Sequence, residues 1–228
     1  MILDSLHTGK DLPLIDYFME LQVTDLEKDI IKEILNIGLA RAADSFAVIA
    51  KDRVLLKVPD LQLIEAKEIL AMVKSYEESH EIIQSDIKGD FNGCTLMFFS
   101  DVHIEKLSEV CLNMVIKYEN ILNELQESLL LEISNIITGA LVTQLANILK
   151  ANIYGSPPVA PKNGLNESLK DILSHNPLFQ PLIFTVITRF MHNTKMVELP
   201  LLLFFDTNTF IKILEIIRSY NFYEENLS

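Results

Sequence analysis

The chain has 228 residues, of which 49% are hydrophobic and 22% are charged, so it can bury a sizeable core and is not disordered as a whole. Nineteen Lys and Arg residues against 32 Asp and Glu residues give a net charge of −13. Such an acidic surface repels phosphate backbones, which argues against nucleic acid as a partner. The longest apolar run, 199–205, is far shorter than the roughly 20 residues of a membrane-spanning helix, so we expect no membrane partner.

The N-terminal residues and the cysteines predict a cytoplasmic location. The first residues, MILDSLHTGKDL, carry an Asp at position 4 and lack the apolar stretch of a secretory signal. The two cysteines, Cys94 and Cys111, are too few for a disulfide scaffold in a chain of this length. We therefore expect both thiols to be small core side chains in a reducing compartment.

Several classes of enzyme site are missing from the sequence. The five histidines are scattered, without a pair at zinc-ligand spacing, so we expect no metal site built by this chain. The sequence has no Gly-rich phosphate loop, no GxSxG elbow and no His beside either cysteine. We expect no cofactor of its own, and any catalysis must need few groups from this chain.

The chain contains an internal similarity between segments 29–59 and 128–158, which align without gaps at an offset of 99 residues. The identical pairs are Glu33/Glu132, Ile34/Ile133, Asn36/Asn135, Ile37/Ile136, Ala47/Ala146, Ile49/Ile148, Lys51/Lys150 and Pro59/Pro158. We interpret the protein as one domain, 1–228, that arose by an approximate duplication. Its expected parts are a leader (1–23), a first repeat (24–115) and a second repeat (124–220).

Each repeat predicts the same order of elements: a long helix, a short strand that ends at a proline, a second helix, two hairpin strands and a closing helix. The predicted elements of the first repeat are 25–50, 53–58, 64–78, 81–88, 94–100 and 102–117. Those of the second are 124–150, 152–155, 166–174, 182–191, 196–205 and 207–220. Thr24 is the expected N-cap of the first long helix. The hairpins favour antiparallel pairing, so the predicted class is mixed α/β, with a largely antiparallel sheet and internal pseudo-twofold symmetry.

Both long helices are predicted to display a polar stripe. At about 100° per residue, Asp29, Glu33 and Asn36 fall on one narrow face of the first helix. Ser128, Glu132 and Asn135 fall on the corresponding face of the second. The opposite, apolar faces comprise Ile31, Ile34, Leu35, Gly38 and Ala42 in the first helix and Leu130, Ile133, Ile137 and Leu141 in the second.

A solvated helix face gives the same pattern, and for one helix alone that is the simpler interpretation. Asn, however, is a mediocre residue for a helix interior, because its amide competes for backbone groups. Its recurrence at the same place in both repeats, next to a small residue (Ala40 or Gly139), favours a functional role for the stripe.

The spacing Asp/Ser-x3-Glu-x2-Asn-x22-Pro resembles the signature of the CheC/CheX/FliY family, which dephosphorylates the chemotaxis response regulator CheY. It fits this chain twice. The matching residues are Asp29, Glu33, Asn36 and Pro59 in the first copy, and Ser128, Glu132, Asn135 and Pro158 in the second. The resemblance extends from about residue 24 to 220 and is strongest to CheC, which carries two such helices in one polypeptide.

The resemblance implies a CheC-like fold and an enzyme that hydrolyses the aspartyl phosphate of a CheY-type response regulator. Because phosphoryl transfer has a loose transition state, such catalysis is largely positioning. Asn36 and Asn135 would hydrogen-bond the attacking water. The other implied roles are docking to the regulator's active-site Lys for Glu33 and Glu132, rim contacts for Asp29 and Ser128, and structural support for Pro59 and Pro158. Mg²⁺ is expected on the regulator.

The alternative from another class is a non-catalytic binding module. A CheC-type body could serve as a flagellar-switch scaffold or bind the receptor deamidase CheD, as CheC relatives do, and CheD binding can coexist with phosphatase activity. The presence of Glu and Asn in both copies favours the phosphatase. Exposure of both stripes to solvent is the observation that separates a functional stripe from a buried, structural one.

Overall fold

The computed structural model describes residues 23–58, 61–63, 80–114, 122–160, 182–191, 195–205 and 207–219. Most of the leader (1–22), Pro59 and the predicted helices 64–78 and 166–174 lie outside these ranges. The described elements are α1 (Asp25–Ala50), β1 (Val54–Lys57), β2 (Leu61–Leu63), β3 (His80–Gly89), β4 (Gly93–Ser100), α2 (Asp101–Leu112), α3 (Glu124–Leu149), β5 (Ile153–Gly155), β6 (Leu182–Phe190), β7 (Met196–Phe205) and α4 (Thr207–Ser219).

The strands form one antiparallel sheet in the order β1-β6-β7-β4-β3-β5, and β2 also pairs with β6. The two hairpins, β3–β4 and β6–β7, meet through the pairing of β4 with β7. The short strands are exchanged: β1 extends the later hairpin, and β5 extends the earlier one. The predicted class, mixed α/β with a largely antiparallel sheet, is confirmed, and the two halves of the sheet interlock.

The predicted boundaries hold closely for the two long helices and the hairpin strands. The prediction that the first closing helix reaches residue 117 is wrong. α2 ends at Leu112 because Asn113 adopts a left-handed backbone, with φ of 55°, which Asn tolerates better than most residues. Strand β2 was not predicted; its three residues pair with 182–184 of β6. The order of elements recurs along the chain, whereas the duplication itself stays a prediction.

The long helices begin and end in the same way. Thr24 is the N-cap of α1, as predicted, and forms a capping box with Glu27. At the 99-residue offset, Asn123 and Gln126 form the capping box of α3. Each helix ends at a lysine with a left-handed backbone, Lys51 with φ of 48° and Lys150 with φ of 49°. The two helices therefore have the same length, 26 residues.

The apolar faces of α1 and α3 pack against each other and against the sheet. All residues predicted for these faces are buried, and most of them belong to the main core cluster. The helices approach closely at Gly38, where an added Cβ would lie 3.0 Å from the Gln144 Cβ and 3.1 Å from the Ala140 carbonyl oxygen. This packing orients the two helices and leaves their polar stripes on the outer side.

Helix α3 is long and apolar enough to cross a membrane by length and composition, but 56% of its most apolar window is buried inside the protein. It contacts α1, α2 and three strands of the sheet. A core helix passes the same test, and the packing of α3 is that of a core helix.

Substituting the two helix glycines with alanine is expected to have opposite effects on stability. Gly38→Ala places a methyl group against the carbonyl of Ala140, which cannot rotate away. We expect a loss of roughly 1–3 kcal/mol in the free energy of unfolding. Gly139→Ala meets nothing within 4 Å, so the better helix propensity of alanine should stabilise the protein by about 0.5–1 kcal/mol. Urea denaturation measures both, and a stabilising Gly38→Ala would contradict the close approach.

A second prediction concerns the pH dependence of stability. Glu27 is buried, and Arg218 Nε donates to its Oε1 at 2.5 Å. Burial alone raises the pKa of Glu27, but the hydrogen bonds from Arg218 and Thr24 outweigh burial and hold this pKa below its usual value. The carboxylate therefore stabilises the fold above the unfolded-state pKa of about 4.3, and this contribution is lost as the pH falls through the lower folded-state pKa.

Glu27→Gln isolates the charge, because glutamine already occupies the corresponding cap position, Gln126, in α3. At neutral pH we expect the variant to lose about 1–3 kcal/mol of unfolding free energy. The difference from wild type should shrink as the pH is lowered below the unfolded-state pKa of about 4.3 and through the lower folded-state pKa. Glu124→Gln, an exposed substitution in the first turn of α3, is the control. A difference for Glu27→Gln that is independent of pH would rule out the charge as its origin.

Candidate functional site

The motif carboxylates lie on the solvent side of both helices. Asp29 and Glu33 are exposed on α1, and Ser128 and Glu132 are exposed on α3. Within the part of the chain that the structure describes, neither Glu33 nor Glu132 has a hydrogen bond or a salt bridge. Two unpaired carboxylates on rigid helices can bind a cationic group of a partner without first breaking an internal contact.

The two motif asparagines have different surroundings. Asn36 is half-buried, and its amide is paired with the backbone of Val58, directly after β1. The Val58 N–H donates to Asn36 Oδ1 at 2.8 Å, and Asn36 Nδ2 donates to the Val58 carbonyl at 3.3 Å. The side chain thus pairs with one backbone residue as a neighbouring strand would. Because Glu33 is exposed and Asn36 is half-buried, the stripe of the first copy is only partly exposed to solvent.

Asn135 is exposed, and its amide has no hydrogen-bond partner in the described part of the chain. It lies at the edge of a pocket of about 180 Å³ between α3, β3 and β5. The pocket is lined by Ser85, Asn135, Thr138, Gly139, Val142, Thr143, Ile153, Tyr154, Gly155 and Ser156. In the second copy a polar side chain and an open cavity therefore lie side by side.

The segment after β5 is held in place by the edge of β3. The Ser156 N–H donates to the Asp86 carbonyl at 2.8 Å, and Val159 exchanges two hydrogen bonds of 2.8 Å with Gln84. Pro157 and Pro158 lie between these anchors and have no N–H to contribute. Pro158 is half-buried, and its structural role stays a prediction, whereas Pro59 lies outside the described residues.

The cysteines are not part of the stripes. Cys94 is buried, and burial, with a smaller effect of Asp86, raises the pKa of its thiol to about 12. Burial likewise raises the pKa of the Cys111 thiol to about 12. Neither thiol is ionised at neutral pH, so neither is an activated nucleophile. Among the described residues, no group of three or more His, Cys, Asp or Glu side chains is placed to hold a metal ion.

Comparison with known proteins shows a similarity to CheC-like proteins in the second motif helix. The model of the CheC-like family matches residues 125–160, which include all of α3 except its first residue, together with the motif residues Ser128, Glu132, Asn135 and Pro158. Over 138 residues, the chain is 24% identical to the CheY-P phosphatase CheC of Bacillus subtilis, an alignment that covers 60% of this chain. The chain spans 66% of the length of that curated relative.

Solved structures show that the likeness in fold extends over most of the chain. FliY of Thermotoga maritima has a TM-score of 0.68 at 18% identity, covering 87% of this chain and 99% of that one. A chain of the FliG–FliM complex from H. pylori has a TM-score of 0.62 at 10% identity, covering 85% and 100%. The resemblance to the CheC/CheX/FliY family is therefore confirmed, by sequence in the second motif helix and by fold over most of the chain.

The residues that sequence reasoning missed are those that surround the asparagines. Val58 and Pro157 occupy corresponding positions before the motif prolines, and this difference is visible in the sequence. The pocket beside Asn135 was not foreseen, because Ser85 comes from β3, more than forty residues earlier in the chain. No spacing rule links it to the motif.

The two asparagines are expected to differ in their effect on stability. Asn36→Ala leaves the N–H and carbonyl of Val58 without a partner at a buried residue, which should cost about 1–3 kcal/mol of unfolding free energy. Asn135→Ala removes an exposed side chain without a bond and should change stability by no more than about 0.5 kcal/mol. Chemical denaturation of both variants measures the difference. Equal losses would contradict the pairing of Asn36 with Val58.

Proposed function

We propose that this protein is a phosphatase of a phosphorylated CheY-type response regulator. The observation that carries the proposal is the exposed Glu132–Asn135 pair beside an open pocket, in the segment that matches the CheC-like family model. The Bacillus subtilis relative bears the name CheY-P phosphatase, which supports the same substrate class. We expect the protein to act in the cytoplasm, where such a regulator is found.

In the proposed mechanism, the motif asparagine hydrogen-bonds the water that attacks the phosphorus atom. The bond between phosphorus and the regulator's aspartate oxygen breaks, which releases inorganic phosphate and restores the carboxylate. Asn135 acts in the second copy and Asn36 in the first. A positioned amide suffices because the loose transition state needs orientation more than a strong base.

The motif carboxylates orient the two proteins. Glu33 and Glu132 are exposed and unpaired within the described chain, and each would form a charge-assisted hydrogen bond with the regulator's active-site Lys. Asp29 and Ser128, one turn earlier on the same faces, would contact the rim. The Mg²⁺ that neutralises the phosphoryl group belongs to the regulator, so this chain needs no metal of its own.

The second candidate is a binding module without catalysis. It is favoured by the fold shared with a chain of the FliG–FliM complex, which indicates that this architecture also occurs in an assembly of flagellar proteins. A CheD-type deamidase is a further possible partner that the resemblance implies. Binding of a regulator without faster loss of its phosphate would support this candidate over the phosphatase.

The test is the decay of a ³²P-labelled aspartyl phosphate on the CheY-type regulators encoded in the same genome, with Bacillus subtilis CheY as a reference substrate. We expect wild type to accelerate the decay and the Asn36→Ala/Asn135→Ala variant to lose the acceleration by about 10²–10³-fold, the usual effect of removing a positioned donor.

Asn147→Ala is the matched control, because Asn147 is an exposed asparagine of α3 that lies off the motif stripe. It should retain wild-type activity. Acceleration that survives the double substitution would place the catalytic groups elsewhere. A wild-type protein that binds the phosphorylated regulator and leaves its decay unchanged would be a scaffold.

A further inference from the structure

The residue that precedes the motif proline differs between the copies, and this difference has a consequence for catalysis. Resting on the proposed phosphatase function, we propose that Val58 and Pro157 are positioning residues that make the two sites unequal. Val58 holds Asn36 away from the substrate, whereas Pro157 leaves Asn135 available. The second copy is then the working site, and the first contributes little.

In the first copy both polar atoms of the amide are engaged. Asn36 Oδ1 accepts from the Val58 N–H at 2.8 Å, and Nδ2 donates to the Val58 carbonyl at 3.3 Å. To reach a water molecule on a docked regulator, the side chain must rotate and break both bonds. Two such bonds reduce the fraction of competent side chains by roughly 30-fold, and the activity of that copy falls by the same factor.

In the second copy the first of these bonds cannot form. Pro157 corresponds to Val58 at the 99-residue offset, and proline has no backbone N–H. The chain around it is bound to β3 instead, through Ser156 and Val159. Asn135 accordingly remains exposed and without a partner in the described chain, so its amide needs no rearrangement before it binds water.

The side chains that surround the two asparagines also differ in size between the copies. The pocket beside Asn135 is lined by Thr138 and Gly155. The corresponding residues of the first copy are Leu39 and Leu56, which are 0% and 3% exposed and belong to the core. Large buried side chains thus occupy the positions where the second copy has small or polar ones that line the cavity beside Asn135.

Single substitutions in the ³²P decay assay test the inequality. Asn135→Ala should lower the acceleration at least tenfold, and Asn36→Ala should lower it by only about 3%, the share that the roughly 30-fold factor leaves to the first copy. Equivalent sites would instead leave about half of the activity in each variant, which would overturn the inference and leave the phosphatase standing. No acceleration by the wild type itself would overturn the proposed function.

A gain of activity tests the role of residue 58 directly. In the Asn135→Ala background, Val58→Pro removes the donor to Asn36 Oδ1, one of the two bonds, and should raise the remaining acceleration about fivefold. Adding Asn36→Ala to that variant should abolish the gain. A folded Val58→Pro/Asn135→Ala variant without any gain would contradict the proposal. Pro157→Val, which introduces a donor beside Asn135, is the reciprocal variant and should lower wild-type activity several-fold; unchanged activity would count against the proposal.

A measurement on this protein alone, without the regulator, separates a failure of this inference from a failure of the proposed phosphatase function. In ¹⁵N NMR spectra, the side-chain NH₂ of Asn36 should exchange with solvent at least tenfold more slowly than that of Asn135. Val58→Pro should reduce this protection, because it removes the bond to Asn36 Oδ1 and leaves the amide held by the Nδ2 bond alone. Val58→Ala, which keeps the N–H, should preserve it. Equal exchange at the two asparagines would overturn the inference whatever the phosphatase assay shows.

Discussion

The close packing of α1 on α3 is the constraint on which the rest of the structure depends. Gly38 has no side chain, so the backbone of α3 approaches to the point where an added Cβ would lie 3.1 Å from the Ala140 carbonyl oxygen. The apolar faces of both helices are buried in this contact and against the sheet. Because an α-helix repeats every 3.6 residues, fixing the inner face also fixes Glu33 and Glu132 on the outer one.

The pairing of Asn36 with Val58 gives part of the motif a physical meaning. Between Asn36 and Pro59 the chain continues to the end of α1 and returns along β1. This return places Val58, the residue before the proline, next to Asn36. The matching spacing in the second copy agrees with the order of elements there, where β5 follows α3 as β1 follows α1. It does not establish a similar state of the amide, which depends on whether residue 157 can donate a hydrogen bond.

Periodicity and caps were sufficient to predict the long helices, because Thr24 begins α1 and the apolar residues recur without interruption as far as Ala50. They were insufficient at Asn113, where one left-handed residue ends α2 early. The exchange of β1 and β5 between hairpins depends on contacts between distant segments, so local patterns could not predict it. The same holds for the pocket, in which Ser85 of β3 lies near Asn135 of α3.

The fold alone does not decide between catalysis and assembly, since likenesses at 18% and 10% identity establish the architecture and no more. The side chains on the outer surface of the two helices distinguish a catalytic protein from a scaffold. A scaffold needs a complementary surface, and unpaired polar groups on that surface must be desolvated when a partner binds. Glu132 and Asn135 stand exposed, one turn apart, with no internal partner in the described chain. The free-energy cost of desolvating such groups is lowest where the partner supplies a cation and a water molecule that bind them, as a phosphorylated active site does.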